Sequence, residues 1–447
     1  MRNAVDAIDR GVTTTGGRDA TTRHIPANLA LAVGMPSTPA PEGWRWAALT
    51  KLARLESGHT PSRKHPEYWG GSIPWMGIRD AKANHGSQIR ETEENTNPIG
   101  IANSSARVLP KDTVCLSRTA SVGYVVVMGK PMATSQDFVN WVCSDELNPN
   151  FLKYLLIAEG KDILRFASGS VHQTIYFPEV KAFHICYPPL REQQRIVGIL
   201  DEAFGGVATA KSNAEKTLQN ARAMFESHLQ SVFTQRAQGW IEKSVGELVA
   251  EGALLKPFDG NHGEIHPRKA DYTESGVPFV MASDLTNGGV DTDHCTFISQ
   301  GLADSLRVGF AKDGDVLISH KGTIGRSGVV STEFPYIMLT PQVTSYRVKD
   351  ASKLFNRFIR YYFMSPVFHR EMVAGAADGS TRAYIGITKQ LSLRFRFPVL
   401  AEQKTITAKL DVLDSETRRL AGICQRKLAA LDALKRSLLH QAFTGAL

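Results

Sequence analysis

The chain has 447 residues, 42% hydrophobic and 21% charged, with a formal net charge of +8. That length allows two or three domains with cores of their own, and no apolar run is long enough to span a membrane or act as a signal sequence. Five scattered cysteines, at 115, 143, 186, 295 and 424, form no CxxC pair, so neither a zinc site nor a disulfide framework is expected and a reducing cytoplasm is the natural compartment. The mild basic excess permits nucleic-acid binding through local patches without requiring it.

In chain order, residues 1–40 are rich in Thr, Gly, Ala and Pro and read as a disordered or weakly structured extension, with Met35 as a possible alternative start. Residues 41–189 mix short apolar runs with turn signals. Tyr124 to Val127 and Val139 to Val142 read as strands, and Asn148-Pro149-Asn150 as a helix start before Phe151. A long helical pattern follows over 190–236. Residues 237–399 repeat the mixed pattern, and a second long helix is predicted over 400–447. Both helices carry apolar residues at steps of three and four. In the first these run from Val197, Leu200 and Phe204 to Leu229 and Val232. In the second they run from Ile406, Leu410 and Leu413 to Leu434 and Leu438. That stripe is close to a coiled-coil seam. Gly205-Gly206 and Gly422 interrupt it, at roughly 0.5–1 kcal/mol per glycine.

The two halves match. Pro189-Leu190-Arg191-Glu192-Gln193 corresponds to Val399-Leu400-Ala401-Glu402-Gln403, Leu200-Asp201 to Leu410-Asp411, and Phe233-Thr234 to Phe443-Thr444. Within the domains Trp44 pairs with Trp240, Trp75 with Phe279, Leu116-Ser117-Arg118 with Ile318-Ser319-His320, Gly123 with Gly325, Gln136 with Gln342, and Gly169-Ser170 with Gly379-Ser380. Matched positions are mostly Gly, Pro, aromatic and apolar, while the polar residues between them differ. One scaffold with two different surfaces is implied. The fold class is α+β: two similar domains, each followed by a long helix, with the helices pairing as an antiparallel coiled coil.

Catalytic constellations are missing from the sequence. There is no phosphate-binding G-x-x-x-x-G-K-[ST], no G-x-S-x-G elbow and no H-E-x-x-H. Asn148-Pro149-Asn150-Phe151 lacks the second proline and the tyrosine of an N-P-P-Y loop, and helix capping explains it better. The histidines show no ligand spacing shared by the two halves, so no metal is expected.

Gly58-His59-Thr60-Pro61-Ser62, Tyr68-Trp69 and Ile73-Pro74-Trp75 resemble the target-recognition domains of type I restriction–modification specificity subunits. So do Leu116-Ser117-Arg118 with Val122-Gly123, Gly379-Ser380-Thr381, the two Glu-Gln helix entries, and the ending Leu438 to Gly445. The resemblance covers about residues 41–447. The second domain departs from it, with Val277-Pro278-Phe279 in place of Ile-Pro-Trp and no Gly-x-Thr-Pro-Ser. The resemblance implies a prokaryotic, cytoplasmic, DNA-associated subunit with no catalysis of its own. Residues 41–189 and 237–399 would be two DNA target-recognition domains, each reading half of an asymmetric, interrupted site. Residues 190–236 and 400–447 would be spacer helices that dock two methyltransferase (modification) subunits, which motor-nuclease (restriction) subunits can join. It implies no cofactor on this chain; S-adenosylmethionine, and ATP with Mg for restriction, would belong to the partners.

Reading base edges needs hydrogen-bonding side chains on loops, and positioning needs phosphate contacts. The candidates in the first domain are Arg63, Lys64, Arg79, Lys82, Ser117, Arg118, Thr119, His172 and Gln173. In the second they are Arg268, Lys269, Ser319, His320, Lys321, Arg326, Arg382 and Tyr384. Arg118 and Lys321 stand out because they occupy similar places in a repeated serine-containing turn. Candidate partner-docking residues on the helices are Arg195, Lys216, Arg222, Arg418 and Arg419. The alternative is a coiled-coil scaffold or adaptor that binds proteins rather than DNA.

Overall fold

The computed structural model describes residues 24–169, 173–234, 239–262, 265–286, 288–375 and 385–447. The chain divides into two units. One holds the chain up to Asn213 together with Lys427–Leu447, and the other holds Ala214–Arg426. Each unit therefore combines an α+β domain with part of both long helices.

In the first unit a five-stranded sheet runs in the order Ala53–Ser57, Phe138–Cys143, Val114–Ser117, Val125–Met128, Gln88–Ile89. Its centre is apolar on both faces; every residue of Val125–Met128 is buried. Helix α1 (Pro149–Glu159) contributes Phe151, Leu152, Leu155 and Leu156 to the same core. It starts where Asn148 caps it, the side chain accepting from the backbone N–H of Asn150 and Phe151, with Pro149 in the first turn. Trp69–Met76 runs parallel to Ala133–Thr134 in a smaller sheet.

A third sheet pairs Arg45–Ala48 and Leu31–Val33 with the two edges of Phe183–Tyr187. This corrects the expected extension. Leu31, Ala32 and Val33 are fully buried, so the folded unit begins well before residue 41. Three apolar residues are too few to show a strand period, which is why the sequence hid them. Residues 1–23 lie outside the described residues.

The second unit repeats the frame. Ser327–Val329, Val316–Ser319 and Val343–Tyr346 form its central antiparallel sheet, Ile241–Ser244 pairs with Arg394–Phe397, and Val277–Val280 runs parallel to Ile337–Leu339. Here the sheet that holds Val277–Val280 also gains Tyr272–Thr273 and Phe310–Ala311 at its two edges, which widens it to five strands.

Helix α2 is Leu190–Thr234, α3 is Asn356–Met364, which takes the place of α1, and α4 is Leu400–Thr444. Each long helix has 45 residues and runs unbroken through its glycines. In the first unit the Arg195 guanidinium donates to the Leu447 carbonyl at 2.6 Å, and Lys211 pairs with Asp432. Numbers rise along α2 as they fall along α4, so the helices are antiparallel. In the second unit Phe225, Leu229, Val232 and Phe233 of α2 share one core with Ile406 and Leu410 of α4. One end of the expected seam is displaced. Leu434 is exposed, while Leu439, Ala442 and Phe443 are buried. A helix with 3.6 residues per turn drifts about 20° per heptad against a 3.5 repeat, and that drift carries the inward face one residue on.

Candidate nucleic-acid interface

The repeated serine turn is built identically in both units. The Ser117 hydroxyl donates to the Ser121 carbonyl at 2.5 Å and accepts from the Tyr124 N–H at 2.8 Å. The Ser319 hydroxyl donates to the Thr323 carbonyl at 2.5 Å and accepts from the Arg326 N–H at 3.0 Å. Gly123 and Gly325 return their N–H groups to the carbonyls of Ser117 and Ser319. Both glycines have positive φ, 108° and 92°, a region that favours glycine. Ser117 and Ser319 are fully buried with their hydroxyls committed to the turn. The structure gives them to the scaffold rather than to a binding face.

The next residue is also held. The Arg118 guanidinium donates to the Gln136 carbonyl at 3.1 Å and the Ile175 carbonyl at 3.5 Å and lies 4.7 Å from the Phe177 ring centre. Burial lowers its pKa, opposed by the nearby Asp137. Arg118 therefore ties three loops together, which corrects its reading as a free base-contacting cation. Its counterpart is His320, not Lys321. Arg118 exchanges backbone bonds with Asp137 and Ile175, as His320 does with Gln342 and Ile385. The same register sets Gln342 opposite Asp137, one residue from the expected Gln136 match. His320 is fully buried, with Nδ1 2.7 Å from the Thr344 hydroxyl and Nε2 3.7 Å from Asp259. Burial pulls its pKa down to about 4, so it is neutral near pH 7. His320 too is corrected from a DNA-facing residue to a buried one.

Around each turn lies a polar rim. In the first unit Thr119 bonds Thr174 hydroxyl to hydroxyl at 2.7 Å, Gln173 is exposed beside them, and Thr60 donates to the Gln136 side chain. The Gly58-to-Ser62 segment presses against Thr134 and Ser135, at the end of the strand Ala133–Thr134. A Cβ on Gly58 would meet the Ser135 carbonyl oxygen at 1.9 Å, so only glycine fits. Further along, Arg63 makes a two-pronged pair with Glu94, at 2.5 and 2.6 Å, and lies 3.8 Å from the Trp69 ring centre. Lys64, Arg79 and Lys82 are exposed, Arg79 lying 3.8 Å from Glu93. In the second unit Lys321 lines a hollow with His262, His266, Thr340 and Gln342. His262 bonds Asp259 at 2.9 Å. Arg268 and Lys269 are exposed, and Arg326 reaches the Ala282 carbonyl at 3.4 Å. His172, Arg382 and Tyr384 lie outside the described residues. Sequence reasoning passed over Thr60, Gln136, His262 and Gln342, although Thr60 sits in a quoted motif and both glutamines among the matched positions.

The Glu-Gln signature at each helix entry is structural. Gln193, fully buried, accepts from the Asn148 N–H and donates to the carbonyls of Glu146 and Pro188. Gln403 accepts from the Phe355 N–H and donates to those of Lys353 and Pro398. In each set two bonds pin the long helix to the segment leading into the short helix of its domain, and the third, to Pro188 or Pro398, closes the long helix's own entry. The docking candidates Arg195, Lys216, Arg222, Arg418 and Arg419 are all exposed on α2 and α4. Arg195 pairs with Glu192, Arg418 with Asp414 and Arg419 with Glu416.

The family model described as "Type I restriction modification DNA specificity domain" matches residues 41–217 and 258–425. The specificity subunit of type I restriction enzyme MjaIX from Methanocaldococcus jannaschii is 24% identical over 371 residues, covering 78% of this chain and 81% of that one. The MjaVIII specificity subunit of the same organism is 20% identical over 417 residues, covering 91% and 93%. Among solved structures, a chain of a type I R-M system aligns with a TM-score of 0.70 at 20% identity, covering 92% of this chain and 100% of that one. The HsdS subunit from Thermoanaerobacter tengcongensis aligns with a TM-score of 0.54 at 19% identity, covering 92% and 99%. At these identities the structural likeness establishes the fold.

Proposed function

This chain belongs to the family of type I restriction–modification DNA specificity subunits, and we propose that its two recognition domains read the two different halves of an interrupted, asymmetric DNA site. It is the sequence-reading, non-catalytic member of a multisubunit enzyme. The observation that carries the half-site reading is the repeated turn. One hydrogen-bond frame, Ser117 to Tyr124 and Ser319 to Arg326, is surrounded by different polar side chains in the two units. The same frame docks alike on two half-sites, and different side chains read different bases.

The exposed residues Arg63, Lys64, Arg79, Lys82 and Gln173, with the half-buried Thr119 and joined by Thr60 and Gln136, form the reading face of the first domain in this proposal. Arg268, Lys269, Lys321 and Arg326, with His262 and Gln342, form that of the second. The outward faces of α2 and α4 dock two modification subunits, which supply S-adenosylmethionine and the methyl transfer, and restriction subunits add ATP and Mg. Two linked half-site contacts gain by effective concentration when the spacing fits. The scaffold reading is not favoured by the family.

The test is single-molecule methylome sequencing of the host with and without this gene. Loss of N6-methyladenine from one interrupted, non-palindromic motif is the expected result. An unchanged methylome with the modification subunits expressed would refute the proposal.

A further inference from the structure

The two units are not equivalent where the short helix meets the long ones. In the second unit Arg360 of α3 lies 4.6 Å from the ring centre of Tyr361 and pairs with Asp414 of α4 at 3.1 Å. The Tyr361 hydroxyl donates to Asp411 at 2.8 Å. The buried cation is thus compensated. The first unit keeps the cation, the tyrosine and the first aspartate. Lys153 of α1 lies 4.0 Å from the ring centre of Tyr154, and the Tyr154 hydroxyl donates to Asp201. The second aspartate is replaced by Phe204, whose ring packs on Tyr154 at 5.4 Å. Lys435 of α4 then lies 4.8 Å from the Phe204 ring centre.

Lys153 is only 6% exposed, and its ammonium has no hydrogen-bond or ion-pair partner among the described residues. Asp201 acts on it electrostatically but is bonded by Tyr154, and Asp432 is taken by Lys211. Aromatic faces attract a cation without neutralising it. Burial above all holds the pKa values of Lys153 and Lys435 down, helped by the like charge of Lys435 at Lys153 and of Lys211 at Lys435. The structure thus keeps two partly desolvated ammonium groups, each beside a ring face, with Lys435 acting electrostatically on Lys153.

We propose that Lys153 and Lys435 form a phosphate-binding site that grips the DNA backbone beside the half-site read by the first domain, an inference that rests on the DNA-reading function above. Its position selects DNA over an acidic protein surface. Lys435 acts electrostatically on His85, whose ring packs on Tyr124 at 5.8 Å and accepts the Val125 N–H at 3.0 Å. Tyr124 closes the serine turn of the reading rim, and the exposed Lys82 lies three residues before His85. The cations therefore continue the rim onto the helices. A phosphate oxygen there supplies the anion that Asp414 supplies in the second unit. The contact carries no base information and sets register.

The experiment measures binding of the full chain, with its modification subunits, to a fluorescent duplex of arbitrary sequence across a salt series. The wild-type protein tests the DNA-binding reading itself; a flat salt response there would sink that reading. Lys153→Met and Lys435→Met keep the apolar stems and remove the charges, and a thermal melt checks that each variant is folded. Each is expected to lower the slope of log affinity against log salt by about 1, with the methylated motif unchanged. A folded variant with the wild-type slope overturns the inference, whether or not its association with the modification subunits is weakened. The matched variant Lys51→Met, at an exposed lysine outside the cluster and outside both proposed faces, is expected to leave the slope unchanged. An equal fall there would also overturn it.

Discussion

Burial fixes the charge state of His320 and gives the second unit a pH dependence. The groups that act on the ring are Asp259, His262 and Lys321, and desolvation outweighs them all. With the pKa lowered from 6.5 to about 4, the unfolded chain binds a proton between those values and the folded chain does not. Stability therefore falls as the pH drops from about 6.5 toward 4, by about 1.4 kcal/mol per unit at most, and this loss is absent above 6.5. Urea melts of His320→Gln against wild type across that window are expected to show a flatter slope for the variant; identical slopes would contradict the buried neutral imidazole. Arg118 acts on the structure in a second way. Arg118→Ala strips donors from the Gln136 and Ile175 carbonyls, one of them on a fully buried residue. It is expected to cost roughly 1–3 kcal/mol of stability, read in the melting temperature. A variant that melts like wild type but loses sequence preference would restore Arg118 to the reading face.

At the scale of elements, the glycines of α2 invite a test. Nothing lies within 4 Å of a Cβ built on Gly205 or Gly206. Alanine at each is expected to stabilise the helix by roughly 0.5–1 kcal/mol, seen as a higher melting temperature. A fall would mean that the double glycine accommodates something in the folded chain. The strand Leu31–Val33 makes the opposite prediction. A chain started at Met35 loses these buried residues and Ile25, which pairs with Val33. At about 1.5–3 kcal/mol for each fully buried large apolar side chain, the first unit is expected to lose its cooperative melt. These two cases mark what the sequence makes legible. The long helices announce themselves because many residues repeat one period, and the Glu-Gln entries because they occur twice. The 31–33 strand is invisible because its three residues carry no period. The roles of Ser117 and Arg118 are invisible for another reason: a polar residue beside a turn looks the same in sequence whether it faces solvent or satisfies a carbonyl. The substitution of Phe204 for a second aspartate is plain in the sequence, but its meaning needs the cation that the fold brings beside it.

For the whole molecule, the decisive property is that each unit keeps its own core and its own polar rim on a shared frame. Under the proposed function the two half-sites are then separable. Side chains around Lys321, His262 and Gln342 belong to one unit, and those around Thr60, Gln136 and Thr119 to the other. Changing Lys321 and Gln342 together to alanine alters groups at the rim without touching the serine turn that supports them. The expected methylome keeps the half-motif read by the first domain and relaxes one or more bases of the second, with about 1–3 kcal/mol of discrimination lost per missing base contact. If both half-motifs relaxed together, the domains would not read independently. If neither changed while methylation persisted, Lys321 and Gln342 would not be base contacts, and the reading face of the second domain would shift to the surface around Arg268 and Lys269.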